Sequence, residues 1–353
     1  MELNQTVGKL WKHAIANKTR EYYNVGYKHF ERFVLLNNVH LHVGYLPPIS
    51  EEILIYFVAY CFRHLNLQYS TIKLYLCGIR YKYLQSNVQS PFIKPDQSNL
   101  KKLDQSNFRK PDQSNLKKLA LVLKSVKRLQ GAMPRIRLPI TFDILEKICY
   151  RLRKGVFNNF VDCLIETTCT VAFFGFLRCG EFTVRKASDF DVTVNLCISD
   201  VLFYDDYAVL KLKESKTDPF RRGICIQLHK INHSICPFLI LQKYIASRIE
   251  RRIYSSSCDP LFITEFGQPL DRNYFIGKLK HVLQLVGYDS SLYNGHSFRS
   301  GGATSAGQAL IEDNMIKTLG RWSSQSYCPY IKASKYTIKQ AQQSLTNSSV
   351  DKH

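Results

Sequence analysis

The chain has 353 residues, enough for two domains that each bury a core, and its 45% hydrophobic and 22% charged composition is that of a globular protein. No apolar run is long enough to span a bilayer, and the opening MELNQTVGKLWKHAIANKTR lacks the apolar segment of a signal peptide, so a soluble intracellular protein is expected. The net charge of +21 is spread along the chain: residues 1–134 hold 20 Lys and Arg against 8 Asp and Glu (+12), and the remainder holds 29 against 20 (+9). Such spread basicity favours a polyanionic partner, nucleic acid, over a merely solvated basic surface, and binding would weaken steeply with salt.

The first third reads as helices. Tyr23, Tyr27, Phe30 and Val34 recur at helical spacing. PPISEEILIYFVAYCF opens with prolines, a capping Ser50 and two acids in the first turn. YSTIKLYLCGIRYKYL puts Ile72, Leu76, Ile79 and Tyr83 on one face after Ser70, and LKKLALVLKSVKRLQG groups Leu116, Leu119, Leu123 and Val126 before Gly131 stops it. Ahead of that last helix KPDQSNLKKL occurs twice, at 94–103 and 110–119. One sixteen-residue duplication does not make a solenoid. It reads as a lengthened connection within 94–119 and is assigned no function.

GAMPRIRLPI (131–140), with two prolines and no periodicity, reads as a linker. TFDILEKICYRL then begins a capped helix, and FVDCLIETTCTVAFFGF is apolar enough to be a buried one. CISDVLFY, YAVLKLKES and GICIQLHK alternate with period two and, joined by DD and KTDPFRR, predict a small antiparallel sheet. Helices resume at CPFLILQKYIASRI and RNYFIGKLKHVLQLVG. The expected fold is mainly α with a small antiparallel β-sheet: a basic helical domain over 1–130, the linker 131–140, a mixed α/β domain over 141–345 and a tail, 346–353. The polar composition of 337–353 favours disorder in the isolated chain. Eleven cysteines, with no C-x-x-C and no paired spacing with His, read as reduced core thiols rather than a disulfide framework or a zinc site.

Five features of the second domain stand out. Arg178 and Glu181 in GFLRCGEF are three apart, on one helix face. Lys216 in ESKTDPF sits where a strand enters a hairpin, and His296 and Arg299 in GHSFRSGGAT again share a face. Trp322 follows in LGRW, then Tyr327 and Tyr330 in SYCPYI. Each has an ordinary reading alone: a surface ion pair worth about 0.2–0.5 kcal/mol, a chance H-x-x-R, a solvated lysine, packed aromatics. Their order together is more informative.

In that order the chain resembles the tyrosine recombinases of the phage-integrase family, and among them the eukaryotic Crypton and DIRS-type transposon recombinases, where G-R-W followed by a Y-I ending recurs. The resemblance covers nearly the whole chain. It implies a helical, SAM-like core-binding domain that grips DNA, followed by the catalytic domain. It also implies an active site of Arg178, Lys216, His296, Arg299, Trp322 and a tyrosine, with Glu181 in support and neither metal nor cofactor. Two forked guanidiniums suit the charge that builds on a phosphate under attack, and a protonated lysine suits a departing 5′ oxygen. A phenol, with a pKa near 10, needs that positive pocket and a proton acceptor, for which His296 is the candidate.

In the wider family the nucleophile commonly follows the His or Trp by nine residues. Tyr330 lies eight after Trp322 and Tyr327 five, so Tyr330, in YIK, is the nearer match and Tyr327 the alternative. Pro329 suggests that Tyr330 starts a new helix after a kink. The resemblance further implies double-stranded DNA as partner, a homo-oligomer on DNA (a tetramer of two dimers) and an origin in a mobile element; the DNA substrate in turn suggests a nuclear location, and the lack of a long apolar run suggests no membrane. Two other readings stand beside it: a domesticated DNA-binding protein with the fold but no chemistry, and a type IB topoisomerase, against which the long first domain and GRW argue.

Overall fold

A computed structural model describes residues 2–37, 46–86, 116–131, 137–214, 218, 222–251 and 256–330. The chain divides into two compact units, Met1–Pro134 and Arg135–His353. Most of the 94–119 duplication, Lys216 and the whole of 337–353 lie outside the described residues.

The first unit is helical: α1 (Glu2–His13), α2 (Asn17–Leu36), α3 (Glu51–Arg63), α4 (Tyr69–Gln85) and α5 (Lys117–Leu129). The helical spacing of Tyr23, Tyr27, Phe30 and Val34 becomes the buried face of α2, which packs mainly on α4. Ser50 caps α3 as expected, its Oγ accepting from the Ile53 N–H at 3.2 Å. The acidic first turn of α3 has a second task, since Glu51 Oε1 accepts from the Leu119 N–H at 3.0 Å and so satisfies an orphan donor at the start of α5. α4 begins earlier than Ser70 suggested. Gln68 is its N-cap residue, and the Gln130 side chain at the end of α5 accepts from the Tyr69 N–H at 2.7 Å and donates to the Leu67 carbonyl at 2.7 Å.

The second unit packs α6 (Phe142–Arg153), α9 (Pro237–Glu250), α10 (Arg272–Leu285) and α11 (Ser297–Gln308) around α7 (Asn159–Phe174). α7 is buried on every side. Its buried polar residues find partners: Thr167 and Thr168 donate to the carbonyls of Cys163 and Leu164, each at 2.7 Å, Glu166 accepts from Arg153 Nε at 2.6 Å, and Asp162 accepts from the Val156 and Phe157 N–H groups at 3.1 Å. Two short helices, α8 (Cys179–Phe182) and α12 (Asp313–Leu319), follow α7 and α11 respectively.

The sheet is antiparallel in the order β1 (Val201–Phe203), β2 (Tyr207–Leu212), β3 (Ile224–His229), with Val201 opposite Leu210 and Tyr207 opposite His229. Alternation puts Ala208, Leu210 and Leu212 of β2, with Ile226 and Leu228 of β3, into the core. Lys213, one residue past β2, fixes the root of the β2–β3 hairpin through Asp200 Oδ2 at 2.6 Å and the Val192 carbonyl at 2.7 Å.

Two expectations are corrected. The last residues of the sequence GAMPRIRLPI are not linker: Leu138 and Ile140 donate their N–H groups to the carbonyls of Leu292 and Ser297 at 2.9 Å, and Ile140 is fully buried. A Cβ on Gly301 would stand 1.7 Å from the Ile140 oxygen, so only glycine lets this segment lie across α11. Not all cysteines are core thiols either. The eleven are free, but Cys225, Cys258 and Cys328 are exposed.

Candidate active site

The site is assembled from the ends of α7, α11 and α12. Asn294 starts α11 by folding back on itself: its Oδ1 accepts from the His296 N–H at 2.8 Å, and Ser297 Oγ accepts from the Asn294 N–H at 3.0 Å. His296 is thereby held at the N-cap position with its side chain exposed, while Arg299, three residues on, is 1% exposed.

Arg299 is satisfied by backbone. Nη1 donates to the Phe176 carbonyl at 2.6 Å and Nη2 to the Gly320 carbonyl, and the guanidinium carbon lies 4.4 Å from the centre of the Trp322 ring. Both carbonyls stand beside strained corners. Phe176 (φ 47°), just after α7, and Arg321 (φ 54°), just after α12, occupy the left-handed region, which costs a residue with a Cβ roughly 1–2 kcal/mol. Trp322 folds back over Gly320 so closely that a Cβ there would lie 1.6 Å from the indole.

Arg178 and Glu181 meet, though not on a helix face. Arg178 is the N-cap residue of α8 and Glu181 its third residue. Glu181 accepts from the Arg178 backbone N–H (Oε2, 2.8 Å), from Arg178 Nη1 (Oε1, 2.8 Å) and from Arg321 Nη2 (Oε2, 3.0 Å). Arg321 Nη2 also donates to the Phe176 carbonyl at 3.0 Å. Arg321 is not among the residues the sequence points to; its one signal there is its place inside GRW, beside the indole.

The electrostatics follow from crowding. Three guanidiniums gather about the single Glu181 carboxylate. Burial, then the charges of Arg178 and Arg321, push the Arg299 guanidinium down to about 9. Burial, and to a lesser degree Arg178, also lowers Arg321, while Glu181 opposes the shift. The pocket therefore carries excess positive charge that no described carboxylate matches.

The two tyrosines have different surroundings. Tyr330 Oη lies 3.0 Å from His296 Nε2, within a cleft lined by Arg137, Asn294, Ser300 and Thr304. Thr304 Oγ1 is 2.8 Å from the Tyr330 carbonyl, which ties the backbone of this residue to α11. Tyr327 is 5% exposed and packs with Phe176, Ala303, Ala306 and Ile316, and burial raises its phenol. The Trp322 ring stands 5.6 Å from that of Tyr327 and 6.3 Å from that of Tyr330. Tyr330 lies in a 3-10 turn, Cys328–Tyr330, closed by its own N–H on the Tyr327 carbonyl at 2.8 Å. The helix expected to start at Tyr330 falls outside the described residues.

Of the residues expected together, Arg178, Glu181, His296, Arg299, Trp322 and Tyr330 are gathered here, and Lys216 lies outside the described residues. Among the described residues no group of three or more His, Cys, Asp or Glu side chains converges to hold a metal ion, and no helix is long and apolar enough to cross a membrane.

No protein-family profile matches the chain, and no curated protein matches it in sequence. Solved structures do match in shape. The XerH site-specific recombinase bound to a palindromic difH substrate, a post-cleavage complex, superposes with a TM-score of 0.57 at 17% identity, over 92% of this chain and 78% of that one. The Tn1549 transposon integrase in complex with transposon right end DNA gives 0.54 at 14% identity, over 97% of this chain and 98% of that one. The chain, mostly helical with one small three-stranded antiparallel sheet, therefore has the tyrosine-recombinase fold.

Proposed function

We propose that the protein is a site-specific DNA recombinase that cuts and rejoins strands through a 3′-phosphotyrosyl intermediate. The observation that carries this reading is the pairing of a tyrosine hydroxyl and an imidazole at 3.0 Å beside a cluster of three guanidiniums around one carboxylate. Tyr330 Oη attacks the phosphorus and gives its proton to His296 Nε2. The P–O bond to the 5′ oxygen breaks, and that oxygen takes a proton from Lys216. Charge on the non-bridging oxygens is balanced by the arginines, as forked, cationic donors suit. The 5′ hydroxyl of a second duplex then attacks the phosphotyrosine and gives its proton to Lys216, the P–O bond to Tyr330 breaks, and His296 returns its proton to the Tyr330 oxygen.

The basic first unit serves to grip the duplex, and the reaction of two duplexes calls for a tetramer of two dimers on DNA. The likeness to Crypton and DIRS-type sequences supports an origin in a mobile element and work in a nucleus. A second reading, a DNA-binding protein without chemistry, draws on the burial of Arg299, whose two terminal nitrogens are committed to backbone carbonyls. One experiment separates the two. The full-length chain is incubated with randomised duplex DNA, denatured, and the DNA ends that remain covalently attached are sequenced. Recovery of ends joined through a 3′ phosphate supports the recombinase, and binding with no denaturant-resistant adduct supports the second reading.

A further inference from the structure

Arg321 is the least explained charge in the second unit. Its side chain is 10% exposed, yet only Nη2 is engaged, and among the described residues Nε and Nη1 have no hydrogen-bond partner. It stands in the left-handed backbone region and in the field of two other guanidiniums. Buried donors without acceptors, like charges at close quarters and a strained backbone each oppose folding. A residue selected for stability alone would carry none of these.

What Arg321 does is join two halves of the site. Its Nη2 touches Glu181 Oε2, whose carboxylate holds Arg178 by both backbone and side chain, and the Phe176 carbonyl, which holds Arg299. Glu181 on α8 holds Arg178, whereas the carbonyls of Phe176, after α7, and Gly320, after α12, hold Arg299. Resting on the recombinase reading above, we infer that Arg321 is a positioning residue: one nitrogen bridging Glu181 and the Phe176 carbonyl sets the two arginines at a fixed separation, matched to the oxygens of one phosphate.

The test uses Arg321→Met, which keeps the length and removes the charge. The substrate is a nicked duplex bearing the end sequence recovered from the covalent adducts. A second duplex is identical except for a neutral methylphosphonate at the scissile position. The expected results are an unfolding midpoint equal to or above that of the unsubstituted chain and undiminished binding of the duplex. The single-turnover rate of adduct formation should fall by about 10- to 100-fold, the scale of one hydrogen bond to a charged group. On the methylphosphonate the deficit should shrink, because there is less charge for correctly spaced arginines to balance, and Arg321→Lys should recover part of the rate on the phosphodiester. A lowered midpoint with equal loss on both substrates would make Arg321 a structural residue and overturn the inference, as would an unchanged rate. Should the unsubstituted chain itself form no adduct, the recombinase reading fails rather than this one.

Discussion

Among the described residues Glu181 is the one carboxylate that meets the guanidiniums of Arg178 and Arg321, and replacing it with glutamine isolates what that charge contributes. The side chain is 6% exposed and accepts three hydrogen bonds, two from Arg178 and one from Arg321. A neutral amide keeps one oxygen acceptor but turns an N–H₂ toward a cation. Breaking one side of a buried ion pair costs about 3–5 kcal/mol, and retention of part of the bonding places the expected loss near 3 kcal/mol. For a unit of this size each kcal/mol moves the unfolding midpoint by roughly 2–4 °C, so Glu181→Gln should unfold about 6–12 °C lower. Trp322 reports on the second unit, and in a Trp11→Phe background its fluorescence follows that unit alone, since the chain has only these two tryptophans. A midpoint within one or two degrees of the parent would refute the claim that this carboxylate holds the cluster together.

Other outcomes follow from the same geometry. Arg299→Lys removes the fork that reaches both the Phe176 and Gly320 carbonyls, so one is left unsatisfied; thermal unfolding should register a loss of about 1–3 kcal/mol, and adduct formation should fall with it. Gly301→Ala forces the Ile140 backbone away from α11 and should cost at least about 2 kcal/mol, read from denaturant unfolding. Burial pushes the Cys61 and Cys149 thiols up to about 12. They should stay unalkylated from pH 7 to 9 in the folded protein, while exposed Cys225, Cys258 and Cys328 react, as peptide mass mapping would reveal.

Legibility in the sequence tracked the range of the interaction. The helical face of Tyr23, Tyr27, Phe30 and Val34 and the alternation along β2 and β3 are local periodicities, and each became a buried face. The Arg178–Glu181 contact was legible from its spacing of three, but the backbone that forms it is an N-cap rather than a helix face. Arg321 was not legible, because a single arginine in a basic chain has no periodic signal and its burial arises from Phe176 and Glu181, more than a hundred residues away. Trp322 stands eight residues before Tyr330, whereas the residue nine before it is Arg321. The carbonyls that occupy Arg299 were equally hidden, since left-handed backbone at Phe176 and Arg321 leaves no mark in residue type.

The central claim is that one phenol, beside an imidazole and a positive pocket, is a nucleophile, and covalent capture tests it most directly. Tyr330→Phe and Tyr327→Phe, each in the full-length chain, are mixed with a nicked duplex that traps the phosphotyrosyl product, and the adduct is resolved under denaturing conditions. The account predicts that Tyr327→Phe still forms the adduct and Tyr330→Phe forms none. Adduct from Tyr330→Phe, and none from Tyr327→Phe, would contradict it.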